Sequence, residues 1–137
     1  MLRIVSADRS AAAPARRVLV VDDDVDVSLT LAALLEDLGC EVTVVHEGAN
    51  SVARARALRP ALVIMDLAMP GASGYDLAPA LRASPELEGA RLVALSGYDG
   101  EEDRKRARAA GFDRHWVKPI DPDALGTLLQ DSLSATT

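Results

Sequence analysis

At 137 residues the chain has room for one domain with a sizeable core. Its hydrophobic fraction of 49% excludes a disordered tail, and with only 3% aromatics the core falls to Val, Leu, Ile and Ala. A formal charge of −6 repels phosphate backbones and argues against direct nucleic-acid binding.

Residues 1–16, rich in Ala, Ser, Arg and Pro, have no clear period and read as an arm or linker remnant. The apolar stretch at 1–5 is too short for a signal peptide, and no run approaches the ~20 residues of a membrane helix. The expectation is a cytoplasmic protein with no membrane association. Arg17-Val-Leu-Val-Val21 is a continuous apolar run ending in acid, as in a strand buried on both faces. Apolar residues at 27, 31, 34, 35 and 38 predict a helix over 25–38, stopped by Gly39. Cys40 stands alone, which excludes an intramolecular disulfide and a zinc cluster; it reads as a small buried apolar residue. Residues 41–46 form a second β-branched run, with His46 taken as structural or surface. A helix over 49–58 is halted by Pro60.

The third buried strand, 61–65, again ends in acid, at Asp66, and a turn-rich stretch follows over 69–74. The helix predicted over 75–83 contains Pro79, which costs a hydrogen bond and should bend or shorten it. Residues 91–95 make the fourth strand. Residues 101–110 make a helix with acids first and bases later, as the helix dipole favours, ended by Gly111. A short fifth strand spans 114–117. Asp121 caps a last helix, with Pro122 in its first turn, running to about 133.

Strands and helices thus alternate, and strands without polar alternation imply a parallel sheet covered on both faces. Ligands bind such sheets beyond the carboxyl ends of the strands, at the switch in strand order. That rule selects Asp22, Asp23, Asp66, Ser96 and Lys118. Clustered carboxylates repel one another and shift their pKa values unless a cation joins them. Oxygen ligands without His or Cys suit Mg²⁺. Such an ion beside a lysine neutralises a transferring phosphoryl group, and a carboxylate can be its nucleophile. The simpler readings are that Asp22 and Asp23 only cap a helix, that Asp66 and Ser96 only shape turns, and that Lys118 is a surface residue. Asp24 and Asp26 read as capping or surface residues.

The segments Val18-Leu-Val-Val-Asp-Asp23, Leu62-Val-Ile-Met-Asp66-Leu-Ala-Met-Pro70, Leu92-Val-Ala-Leu-Ser96-Gly and Trp116-Val-Lys118-Pro119, in this order, resemble the response-regulator receiver domain over residues 17–133. The resemblance implies a doubly wound, flavodoxin-like α/β fold with strand order 2-1-3-4-5, leaving a tail at 134–137. It implies that Asp66 accepts the phosphoryl group, and that Asp23, Asp66 and the Ala68 carbonyl ligate Mg²⁺, with Asp22 acting through water. Lys118 and Ser96 would hold phosphoryl oxygens, with the Gly97 amide nearby, and the Lys118–Pro119 peptide is often cis. Ser96 and His115, the latter where receivers commonly carry an aromatic residue, would form the switch. Histidine there also brings pH sensitivity. Ala68 and Tyr98 would flank the approach of hydrolytic water, with Tyr98 as a cover.

The implied partners are a histidine kinase or a histidine phosphotransfer protein. A second copy or an output protein would dock on the face of the fourth helix, fifth strand and fifth helix. The Leu95-Ser-Gly-Tyr98 and Val117-Lys-Pro-Ile-Asp121 stretches look most like receivers of hybrid histidine kinases, and no output module is expected after residue 133. The expected chemistry is the domain's own phosphorylation and dephosphorylation, without turnover of another substrate. The rival reading is a Mg²⁺-dependent phosphohydrolase of the haloacid-dehalogenase type, whose paired acids Asp22 and Asp24 could imitate. It also needs a later acidic metal-binding motif and usually a cap domain, and after Lys118 only Asp121 and Asp123 remain, at a helix start. A calcium loop starting at Asp22 is excluded, since Val27 and Ala33 stand where Gly and Glu are required.

Overall fold

The computed structural model describes residues 16–134. The arm expected at 1–16 and the tail at 134–137 lie, apart from Arg16 and Ser134, outside the described residues. The elements run β1 (Arg17–Val21), α1 (Val25–Asp37), β2 (Glu41–Val45), α2 (Ser51–Leu58), β3 (Leu62–Asp66), α3 (Gly74–Arg82), β4 (Arg91–Ser96), α4 (Glu101–Ala110), β5 (Arg114–Val117) and α5 (Pro122–Leu133). All strand pairs are parallel, in the order β2-β1-β3-β4-β5.

Because parallel strands are covered on both sides, alternate residues of one strand enter different cores. Leu19, Val21, Val63, Met65, Leu92 and Ala94 pack with Ala55 of α2, Leu81 of α3 and Ala107 of α4. Val18, Val20, Leu62, Ile64, Val93, Leu95 and Trp116 face the other way, against Leu31 and Leu35 of α1 and Leu125 and Leu129 of α5. Cys40 is a free, buried thiol in this second core, as expected.

Several local readings are corrected. The buried stripe of α1 is Ser28, Leu31, Ala32 and Leu35, while Val27 and Leu38 are exposed. The stripe is rotated because Ser28 satisfies its hydroxyl on the Val25 carbonyl at 2.9 Å and so can be buried. Ahead of α2, residues Gly48–Asn50 form a 3₁₀ turn instead of α-helix. That helix ends on Arg59 in the left-handed conformation (φ 50°), one residue before Pro60. An unforeseen 3₁₀ turn covers Pro85–Leu87. Helix α3 continues through Pro79 to Arg82.

Arg82 fastens the lower end of the sheet. Its guanidinium donates to the Gly111 carbonyl at 2.8 Å, the Ala90 carbonyl at 3.0 Å and the Asp113 carboxylate. The same Asp113 oxygen accepts from the Leu92 amide at 2.8 Å. One side chain therefore joins α3, the entry to β4 and the turn before β5. Arg82→Ala is expected to cost about 2–3 kcal/mol, because the aspartate and two carbonyls lose a charged donor. The melting temperature should fall by roughly 10 °C. Arg82→Lys, with a single point of donation, should recover only part; a melt of Arg82→Ala matching wild type would refute the clasp. At this same pole a cavity of about 460 Å³ is bordered by Arg16, Ala61, Gly89, Arg91, Gln130, Leu133 and Ser134.

Candidate functional site

At the opposite pole, strand register does the positioning. Val21 pairs with Met65, so Asp22 and Asp66 leave the sheet side by side. Leu95 pairs with Asp66 and Ser96 with Val117, which brings the hydroxyl and Lys118 to the same edge. The lysine amide donates to the Ser96 carbonyl at 2.8 Å. The peptide between Lys118 and Pro119 is cis.

Asp66 is almost fully buried, and both of its oxygens are engaged. Oδ1 accepts from the Ala68 amide at 3.0 Å, and Oδ2 accepts from Lys118 Nζ at 3.0 Å. Lys118 also lies 3.3 Å from Asp22 Oδ2. Asp22 Oδ1 accepts from the Asp24 amide at 3.0 Å, whereas its Oδ2 accepts no well-directed hydrogen bond. Burial pushes the Asp22 carboxyl up to about 6; the neighbouring Asp66 adds to this, against the Asp24 amide and the Lys118 charge. Burial pulls the Lys118 ammonium down, but Asp66 and Asp22 more than compensate, and its pKa is raised. Carboxylate oxygens of Asp22, Asp23 and Asp66 lie within 4.8 Å of one another, with Asp23 exposed.

The loop beyond β3 is held from below. Ser73 caps α3 and donates its hydroxyl to the Leu67 carbonyl at 3.2 Å. Gly74 packs so closely that a Cβ there would sit 3.0 Å from the Asp66 carbonyl oxygen, which is why the helix starts on glycine. At the neighbouring edge Ser96 is buried, and its Oγ accepts from the Tyr98 amide at 3.0 Å. Ala68 is exposed. Tyr98 departs from its expected covering role, because the residue is 69% exposed. His115 lies on β5 opposite Ala94, on the α4 side, and neither ring nitrogen has a hydrogen-bond partner among the described residues. Burial and the charge of Arg104 lower its pKa, with Asp99 and Asp103 partly opposing.

His46 is structural, one of the two roles its sequence reading allowed. Its Nδ1 lies 3.2 Å from the Asp22 carbonyl oxygen and 3.4 Å from Ser28 Oγ. With the Asp22 amide donating to the Val45 carbonyl at 3.0 Å, the end of β2 fixes the backbone that presents the buried acid. The sequence names the role but not these partners, which come from another strand and helix. Asp24 caps α1 through the Val27 amide at 3.1 Å, as its capping reading implied. Asp121 caps α5, its carboxylate accepting from the Asp123 amide at 3.0 Å. That carboxylate serves the helix end, which weakens the phosphohydrolase reading.

Residues 18–130 match the response regulator receiver domain family. A protein of Leptolyngbya boryana, described as an uncharacterized 14.6 kDa protein in the sodA1 3′ region, is 38% identical over 113 residues, 82% of this chain and 86% of the relative. The DNA-binding response regulator MtrA of Mycobacterium leprae is 34% identical over 110 residues. That match covers 80% of this chain but 48% of MtrA, so the chain spans about half its length. Chemotaxis protein CheY4 of Vibrio cholerae superposes with TM-score 0.80 at 28% identity, over 85% of this chain and 97% of that one. The receiver domain of sensor histidine kinase PA1611 from Pseudomonas aeruginosa PAO1, solved with a magnesium ion in its active-site cleft, gives 0.78 at 27%, over 86% and 97%. The chain belongs to the receiver-domain family of two-component signalling, in which accepting a phosphoryl group is the general role. Among the described residues no helix is long and apolar enough to cross a membrane.

Proposed function

We propose that Asp66 is the phosphoryl acceptor of a cytoplasmic phosphorelay, taking its group from a phosphohistidine on a histidine kinase or phosphotransfer protein. The observation that carries this reading is the Lys118 ammonium set between Asp66 and Asp22, at 3.0 and 3.3 Å. A carboxylate oxygen of Asp66 attacks phosphorus, the P–N bond breaks and the imidazole leaves. Lys118 then moves its charge from the carboxylate to a phosphoryl oxygen, and the Ser96 hydroxyl donates to another.

Three carboxylates with oxygens inside 4.8 Å, one of them fully buried with an Oδ2 offset only by the Lys118 charge at 3.3 Å, fit a hard divalent cation. Asp23, Asp66 and the Ala68 carbonyl would hold Mg²⁺, with Asp22 acting through water. When bound, the ion offsets the charge that gathers on the phosphoryl oxygens. Residues 17–133 form the receiver unit, and its sequence favours association with a hybrid histidine kinase. Phosphorylation would shift Ser96 and His115 and alter the α4-β5-α5 face for a second copy or an output partner.

A small phosphodonor with Mg²⁺ should add one phosphoryl group by intact mass. Asp66→Asn should take up none; equal labelling of that variant would remove Asp66 from its role.

A further inference from the structure

A second polar cavity, of about 270 Å³, lies between α4 and β5, away from the acid cluster. It is lined by Arg104, Arg108, Asp113, Arg114 and His115, with Ala107 and Phe112 as its apolar wall. The charges there are unequally spent. Asp113 is occupied by Arg82 and the Leu92 amide. Arg114 pairs with Asp131 at 2.9 Å and donates to the Asp113 carbonyl. Arg104 reaches outward to Asp99, in a pair exposed on both sides. The Arg108 guanidinium has no ion pair or hydrogen bond among the described residues. The His115 ring adds two buried nitrogens without partners among the described residues. Buried polar atoms without partners cost free energy, so such a pair beside a spare guanidinium calls for something to fill the space between them.

We propose that this cavity binds a small oxyanion, a phosphate monoester or a short dicarboxylate, held by Arg108, by Arg104 turned inward from Asp99, and by the His115 ring. Arginine forks match two anionic oxygens at once, and a histidine N–H supplies a third donor. The acids near the ring do not forbid this: Asp113 stays paired with Arg82, and Asp99, which Arg104 would leave, is exposed to solvent that screens its charge, as Asp103 is in part. An anion here would tie α4 to β5, and by linkage it would favour whichever arrangement of the two it binds better.

The chain has two histidines, so their ring proton resonances can be followed separately by NMR during a pH titration. Inorganic phosphate and succinate are added in separate arms without Mg²⁺, against chloride at equal ionic strength. A bound anion favours the imidazolium, so the titration midpoint of His115 should rise saturably, by about half a unit or more, while that of His46 stays. Arg108→Gln should weaken the response about tenfold, whereas Lys105→Gln, on α4 but outside the cavity lining, should not. A response to phosphate alone assigns a phosphate ester, and one to succinate alone a carboxylate. Equal movement of both histidines, no difference from chloride, or an unchanged Arg108→Gln titration would overturn the proposal.

Discussion

Without Mg²⁺, this protein is expected to lose stability as pH rises from about 4 to about 6, and Asp22→Asn should not. The Asp22 carboxyl keeps its proton to about 6 in the fold, whereas in the unfolded chain it ionises near 3.8. Between those values the folded state binds more protons, so stability is present below the window and falls as pH rises through it. Asp22 is fully buried, and a shift of two units corresponds to about 3 kcal/mol as an upper figure. Asn keeps an oxygen for the Asp24 amide and removes the charge. The variant should therefore match wild type near pH 4 and exceed it at about pH 7 by about 1–3 kcal/mol. Mg²⁺ at ten times its dissociation constant should add about 1.4 kcal/mol to wild type. Asp23→Ala should lose that response with little metal-free change, since Asp23 is exposed. Urea titrations at several pH values, with and without Mg²⁺, measure all of this. An Asp22→Asn protein no more stable than wild type at neutral pH would contradict the repulsion.

Once formed, the aspartyl phosphate should decay slowly, and Ala68→Asn should hasten its loss. Hydrolysis requires a water in line with the bond from Asp66 to phosphorus. Ala68 is exposed, two residues beyond Asp66, and has no polar side-chain atom to hold that water. An amide there should speed decay by about tenfold, or about 1.4 kcal/mol of barrier. Tyr98 stands mostly in solvent, so Tyr98→Ala should change the rate less. The measurement is the loss of the phosphorylated mass after donor removal. Decay of Ala68→Asn at the wild-type rate would show that water placement does not limit the reaction.

How much of this could be read beforehand depended on whether the cause was local. A doubly covered parallel strand writes itself as an apolar run, and β1, β3 and β4 were legible for that reason. Their acidic and hydroxyl ends marked the site without any contact being known. The α1 stripe was misplaced because the burial of Ser28 depends on local bonding and on His46, which hydropathy cannot see. The Arg59 cap and the Pro85–Leu87 turn follow from backbone conformation more than from composition. Arg82 joins segments about thirty residues apart in sequence, and no window along the chain contains such a bond.

Arg16 and Ser134 border one cavity, at the end of the sheet opposite Asp66. Anything fused to either side of the domain is therefore anchored at the pole farthest from the chemistry. A pull or twist delivered through the backbone meets the Arg82 clasp before it meets the acids. Messages between the acid cluster and a covalent neighbour must then travel sideways, over the helical flanks. A short linker joining residues 134 and 16, with new ends opened in a surface loop, should leave the acid cluster intact.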